Sequence, residues 1–359
     1  MQPSLVPPQN IRSKLDDLWN SQETKYKMRA SLFNLLFFMQ KSPREDYVRK
    51  IASKLIEKFP ARLFFICMDP ALPEGGLTTS VSVMAAMQGD LAITCDLIEI
   101  HTGPKDKHRI PFLLLPHIIP DLPTFLIWPE DPSTESELRG ELESFVSRII
   151  FDSESAEDLL GFARSVLSLH TTFNGDLADL NWARLESWRA LISSVFANEE
   201  ALQNIQKISS LEITFNAQET PSFCHTKIQS IYLQAWIASR LKWQKSSSAH
   251  ADPFSFTYQN AHGKIEVKLS PVKESSLPPG MILSLAMRTT EEDSYLFARK
   301  KEAPHQISFE HATPNLCSIP IRLQEAKGES GHSLITEICQ KGTSEHYIQM
   351  LSCIVKEPS

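Results

Sequence analysis

Three groups of residues in this sequence are of types that could do chemistry. Asp69, Trp128 and Asp152 each sit at the end of an apolar run. If those runs are parallel strands, the three residues stand at carboxyl ends, where doubly wound sheets hold ligands. Carboxylates beside an indole there could form the edge of a sugar-phosphate or nucleotide site, or supply a catalytic carboxylate. Asp152 also opens the run D-S-E-S-A-E-D. Such a run suits the N-terminus of a helix, and acids there favour capping while repelling phosphate. The capping reading is preferred for Asp152.

The second group is histidine. His101 and His108 lie in H-T-G-P-K-D-K-H. This spacing fits no compact zinc pattern, and no Cys or further His follows at ligand distance. His305 and His311 flank an apparent strand and give the same result. No metal site is expected.

The third group lies in D-L-A-D-L-N-W-A-R-L-E-S-W-R-A-L-I-S-S-V-F, residues 176–196. On a helical wheel Trp182, Leu185, Trp188, Ile192, Val195 and Phe196 form one apolar stripe. Asn181 and Arg189 project into the same sector. Polar groups on a buried stripe are costly unless paired. Either the arginine is satisfied by a core carboxylate with its stem packed on Trp, or an Arg/Trp cluster meets a protein partner, where those residue types dominate binding energy. The candidate partner-binding residues are Asn181, Trp182, Arg184, Trp188 and Arg189.

Glycine narrows the field of activities. The 359 residues hold 12 glycines and 23 prolines, against about 7% and 5% in an average chain. Only Gly75 and Gly76 adjoin, and only Gly328 and Gly331 lie three apart. G-x-G, G-x-x-x-x-G-K-[ST] and G-x-S-x-G are all absent, so the dinucleotide fingerprint, the P-loop and the nucleophile elbow are excluded. The six cysteines form no C-x-x-C. Cys67 and Cys95 fall in apolar runs, and buried free thiols in a reducing, cytoplasmic compartment are the expected state. A net charge of −7 argues against a general nucleic-acid binder. The most apolar window, Ile110 to Pro129, is broken by five prolines and cannot be a membrane span. Met1 to Asn10 carries no signal-peptide pattern.

These groups must be positioned by a two-part architecture. Leu32–Met39 and Leu63–Met68 are continuous apolar runs joined by a helix-spaced segment, Arg44–Lys58. That pattern reads as βαβ with strands buried on both faces. Further strands at Leu91–Ile100, Thr124–Trp128 and Arg148–Phe151 alternate with helices up to Leu169. An α/β N-terminal domain over 1–170, with a mostly parallel doubly wound sheet, is expected. Long helices at Leu177–Phe196 and Lys227–Trp243 flank a strand at Leu211–Phe215. After a polar turn at Lys245–Pro253, six short strands run from Phe254 to Leu323, and two helices close the chain. An α+β C-terminal domain over 171–359, with a largely antiparallel sheet, is expected. Charge is uneven. Residues 41–62 hold seven Lys and Arg against three acids, and 130–158 hold ten acids against two Arg. Such runs are solvated helix faces or patches that steer a partner.

The segment D-L-N-W-A-R-L-x-x-W-R, Asp179 to Arg189, resembles the signature of the OpcA family of glucose-6-phosphate dehydrogenase assembly proteins. M-R-A-S-L-F-N-L at 28–35, F-P-A-R at 59–62, L-L-P-H-I-I-P-D-L-P-T-F-L-I-W-P at 114–129, R-I-I-F-D-S at 148–153 and A-W-I-A-S-R-L-K-W at 235–243 agree in the same order. The resemblance covers roughly residues 25–245. It implies a non-catalytic protein that binds glucose-6-phosphate dehydrogenase and assembles or allosterically activates it, with no cofactor and no metal. In photosynthetic relatives activation is tied to cysteine redox state, and the buried Cys67 and Cys95 do not suit that role. The other reading, a sugar-phosphate or nucleotide binder or enzyme, would use the edge at Asp69, Trp128 and Asp152.

Overall fold

A computed structural model describes residues 4–20, 27–29, 31–88, 91–133, 137–246, 254–324 and 332–357. Most of the polar turn expected at Lys245–Pro253 lies outside the described residues. The first sheet holds β1 (Ser4–Leu5), β2 (Lys27–Arg29), β3 (Asn34–Gln40), β4 (Arg62–Met68), β5 (Thr78–Gln88), β6 (Leu91–Thr102), β7 (Thr124–Trp128), β8 (Arg148–Phe151) and β9 (Asp176–Asp179). Their order is β1-β5-β6-β4-β3-β7-β8-β9, with β2 also paired to β6. The run β6-β4-β3-β7-β8-β9 is parallel throughout. Counted along the chain, those six strands stand in the order 3-2-1-4-5-6, which is the doubly wound dinucleotide-fold order. The expected α/β class is therefore the observed one.

The residue types explain why β3 and β4 sit centrally. N-L-L-F-F-M-Q and R-L-F-F-I-C-M are buried almost end to end, as strands covered on both faces must be. On one face Leu35, Phe37, Met39, Leu63 and Phe65 pack with Val48, Ile51 and Leu55 of helix Glu45–Ile56, and with Leu334 of helix His332–Cys339. Two elements depart from the sequence reading. β5, for which no strand is expected between Met68 and Leu91, is an antiparallel strand eleven residues long, in register with β6. Its Ser80 and Ser82 are as buried as its valines, so the apolar alternation that would flag it is muted. Helix Ile11–Asn20 was also unexpected; Trp19 Nε1 ties it to buried Asp96 at 2.7 Å.

The second sheet holds β10 (Ile208–Asn216), β11 (Gln244–Lys245), β12 (Ser255–Asn260), β13 (Gly263–Val272), β14 (Ile282–Thr289), β15 (Ser294–Arg299), β16 (Gln306–Thr313), β17 (Leu316–Cys317) and β18 (Ile321–Gln324). The order is β11-β12-β13-β10-β14-β15-β16-β17, with β18 on β16. Every pair is antiparallel except β10–β13. The last of the six short strands expected between Phe254 and Leu323 is thus two short strands, β17 and β18. Ile265, Val267 and Leu269 of β13 are buried while Lys264, Glu266 and Lys268 are exposed, so one face carries the core. Helix Ile228–Arg240 contacts β10 and β13, and helix Glu345–Val355 packs on that helix. The chain divides into two compact units. One comprises Met1–Ala156, Ser168–Leu180 and Glu329–Gly342; the other comprises Glu157–Leu167, Asn181–Gly328 and Thr343–Ser359.

Candidate functional site

The Trp/Arg segment is not the single helix the wheel assumed. Asp176–Asp179 is β9, parallel to β8. Helices Leu180–Arg184 and Glu186–Val195 follow, broken at Leu185 (φ −91, ψ 0). The pull of the sheet edge on Asp176–Asp179 outweighs local helical periodicity. The burial expected of the stripe is present all the same: Trp182, Leu185, Trp188, Ile192 and Phe196 are buried.

The polar members of the stripe are turned inward. Asn181 is fully buried, and its Oδ1 accepts from Arg184 Nη1 at 2.7 Å. The Arg184 guanidinium lies 5.5 Å from the Phe223 ring centre. Arg189 stacks 3.5 Å over Trp182 and donates from Nη1 to the Trp182 carbonyl at 2.5 Å. That carbonyl also takes the Leu185 N–H, so Arg189 sits on the helix break. Arg299, from β15, lies 5.6 Å over Trp188, and Trp182 meets Tyr347 at 5.7 Å. Both polar members of the stripe are thus engaged within the chain, Arg189 by the Trp182 ring and carbonyl and Asn181 by Arg184. The five candidates form one cluster, and its exposed fringe consists of Arg184 and Arg189, both half-buried.

The other candidate edge is real as a place. β3 and β7 flank the point where the strand order reverses, and Trp128 ends β7. Trp128 is fully buried and stacks on Phe38 with ring centres 4.0 Å apart, and its Nε1 has no hydrogen-bond partner. Two bridges made by the chain itself cross this point. Arg44, in the turn after β3, donates from Nη2 to Asp152 Oδ2 at 2.6 Å, beyond β8. The Gln40 N–H, at the end of β3, donates to Glu130 Oε1 at 3.2 Å, beyond β7. Burial pushes the Glu130 carboxyl up from its ordinary value, against the pull of that N–H and of Arg44. Asp69 stands apart, paired with Lys41 at 2.7 Å, and that hydrogen bond holds its carboxyl below the usual range.

Several expectations change at this edge. Asp152 does not cap with its side chain. The cap is Asp158, whose carboxylate accepts from the Leu160 and Gly161 N–H groups at 3.0 Å each. Arg44 and Glu130 were not foreseen. Their only sequence signal is membership of the charged runs, and five of the seven bases of residues 41–62 are paired within the chain. Lys41, Arg44, Lys54 and Arg62 pair with Asp69, Asp152, Glu57 and Asp96, and Arg49 with Glu45 and Glu99. Glu137 and Glu143 pair with Lys107 and Arg139. Among the described residues no group of three or more His, Cys, Asp or Glu is placed to hold a metal. His311 stacks on Tyr295 with ring centres 4.5 Å apart and is half-buried. All six cysteines are free. Cys67 and Cys95 are buried as expected, whereas Cys224, Cys317 and Cys339 are exposed and Cys353 is intermediate.

With this geometry in place, similarity to known proteins decides the family. Residues 52–166 match the family described as glucose-6-phosphate dehydrogenase subunit N-terminal domain, and residues 175–325 match the companion C-terminal domain. The chain belongs to the OpcA family. Its relatives include proteins named OxPP cycle protein OpcA from Synechocystis sp., 26% identical over 216 residues (58% of this chain, 41% of that protein), and from Synechococcus elongatus, 26% identical over 251 residues (65% and 52%). The chain therefore spans about half the length of the curated relatives it matches. Levoglucosan dehydrogenase, solved with NADH and levoglucosan, superposes with a TM-score of 0.51 at 11% identity, covering 91% of this chain and 95% of that one. At that identity the likeness concerns the fold alone. It agrees with the strand order of the first sheet of this OpcA-family chain. No helix among the described residues is long and apolar enough to cross a membrane.

Proposed function

We propose that this OpcA-family chain is a non-catalytic partner of glucose-6-phosphate dehydrogenase that promotes its assembly or activity. The observation carrying the reading is the match of both halves of the chain to domains named for that enzyme. The reversal point of the sheet supports it. A dinucleotide pyrophosphate needs a glycine turn and a helix N-terminus free of negative charge. Here the turn is Lys41-Ser42-Pro43-Arg44, the helix opens with Glu45 and Asp46, and Arg44 is engaged with Asp152. A protein without its own phosphate cradle acts by preferring one conformation or oligomer of its partner, which shifts that population by its differential affinity. In this reading the Asn181–Arg189 cluster shapes the contact region or supports it from beneath, and the chain works in the cytoplasm with its target.

The test is co-purification with the dehydrogenase, together with a titration of dehydrogenase activity by added protein. Binding with a change in activity, substrate affinity or oligomeric state is expected. Absence of binding and of any kinetic change would refute the proposal. A thermal shift produced by NADP or a hexose phosphate on the isolated chain would favour the ligand-binding alternative at Asp69, Trp128 and Asp152.

A further inference from the structure

The second sheet carries its core on one face only. Across β10, β14, β15 and β16 the register aligns Ile213, Leu285, Phe297 and Phe309, all buried. The neighbouring row aligns Glu212, Ala286, Leu296 and Glu310, each half-buried or exposed. Successive side chains of a strand point to opposite faces, so this second row lies on the outer face. Helix Ile228–Arg240 meets the inner one: its Gln234 accepts from Tyr258 Oη at 2.9 Å, and Tyr258 stands level with core residue Ile265. A solvated outer face is ordinary for an antiparallel sheet. What sets this one apart is the placement of its charges.

β15 runs along the middle of that face, with β14 and β10 on one side and β16 and β18 on the other. Arg288 of β14 is level, through Ser294, with Ala312 of β16. Glu310 of β16 is level, through Leu296, with Ala286 of β14. One strand further out the pattern repeats. Arg322 of β18 is level with Thr214 of β10 through Ser308, Ala298 and Ser284, and Glu212 is the next outward-facing residue before Thr214. Arg288, Glu310 and Arg322 thus each have a small residue level with them across β15, and a charge of opposite sign one step along from it. Within one chain Arg288 and Glu310 are two strands apart, about 10 Å. Among the described residues no ion pair occupies Arg288, Glu310 or Arg322.

We infer that the outer face of the second sheet binds a second copy of this chain about a two-fold axis that runs along β15. A two-fold contact sets one surface against itself, so that residue i meets residue j and j meets i. Turned about β15, β14 of one copy lies over β16 of the other, and β10 lies over β18. Arg288 then stands over Ala312 of the second copy and beside its Glu310, and the same pair recurs on the far side of the axis. Arg322 stands over Thr214 and beside Glu212 in the same way. Leu296 meets its own counterpart on the axis. Charge favours self-contact on this face. A chain of net charge −7 repels its copies, whereas here Glu212 and Glu310 are set against Arg288, Arg322 and Lys268, and complementary potentials select the pairing. The area suffices as well. Five overlapping strands at about 4.8 Å, each with about six residues at about 3.4 Å, give a patch of roughly 24 by 20 Å, hence roughly 1,000 Å² over two copies, the lower size for a specific interface. The contact is independent of the partnership proposed above.

Sedimentation of the full chain over about 1–100 μM tests this, since an interface at the lower size limit is a weak one. The parent should pass from monomer to dimer across that range. Leu296→Glu, Arg288→Glu and Glu310→Arg should each raise the dimer Kd at least about tenfold. The melting curve of the dilute monomer should not change, because these side chains lie on the outer face. Arg288→Glu combined with Glu310→Arg should return to within about threefold of the parent, because each pair is restored with its signs reversed. The two residues are too far apart to pair within one chain, so that recovery reads contact between copies. A parent that stays monomeric throughout, single variants that dimerise like the parent, or a double variant that does not recover overturns the proposal. So does loss of dehydrogenase binding in Leu296→Glu with the parent monomeric, which assigns the face to that enzyme.

Discussion

Arg148 offers the sharpest test of how the first unit holds together. It begins β8 and is 3% exposed. Its Nη2 donates to Glu337 Oε2 at 2.8 Å, and Glu337 is also 3% exposed. Its Nη1 donates to the Gln340 carbonyl at 3.0 Å, at the carboxyl end of helix His332–Cys339. Asp176, 3.5 Å from the same nitrogen, accepts the Gly342 N–H at 3.0 Å. One guanidinium therefore ties a helix from near the end of the chain to a sheet built from its first half. Arg148→Met leaves the Glu337 carboxylate buried without that charge and the helix end without its donor. Breaking a buried pair from one side costs about 3–5 kcal/mol, which at 1.4 kcal/mol per tenfold is roughly a 10²- to 10³-fold change or somewhat more. Native-state hydrogen exchange reads it, because the helix can open locally without global unfolding. Amides of 334–339 should lose protection by that factor while those of β3 and β4 change less. Arg148→Met combined with Glu337→Met should recover most of the protection, since replacing a whole buried pair by apolar groups is often neutral. Protection of 334–339 within threefold of the parent in Arg148→Met would refute the reasoning.

Other outcomes follow from the same geometry. Arg189→Ala removes a charged hydrogen bond and a ring stack and should cost about 2–3 kcal/mol by denaturant titration, with partial recovery in Arg189→Lys; parent stability with partner binding alone lost would refute internal support. Glu130 is raised by burial, so its contribution is present below the unfolded value of about 4.3 and is lost as pH rises through the folded value. Glu130→Gln, whose amide oxygen can still accept from Gln40, should be more stable than the parent at pH 7–8, the difference closing towards pH 4, as thermal melts across pH will read. Burial pushes the Cys67 thiol to about 12 and the Cys95 thiol to about 11. Iodoacetamide at pH 8 should therefore label Cys224, Cys317 and Cys339 in the native protein and reach Cys67 and Cys95 only in denaturant, as peptide mass spectrometry will show.

The elements legible in the sequence were those whose signal is local and redundant. Leu32–Met39 and Leu63–Met68 could only be buried strands, and the spacing of Val48, Ile51 and Leu55 could only be a helix covering them. The Trp stripe is buried as its spacing required. β5 was missed because Thr79, Ser80 and Ser82 are three of the five residues described as buried in it, and β9 because a β-strand of four residues leaves almost no periodicity of its own.

The candidate site divides the same way. Composition alone excluded a glycine-dependent phosphate cradle, because missing glycines cannot be supplied by folding. The apolar runs also placed Trp128 and Asp152 at the strand ends. Neither could show that Arg44 reaches Asp152, 108 residues away, or that Arg148 reaches Glu337 across 189. A charged side chain carries its charge in the sequence but not its partner. Only the folded sheet, by bringing the ends of β3, β7 and β8 side by side, decides which charges neutralise one another and which apolar residues, such as Phe112, are left facing outward.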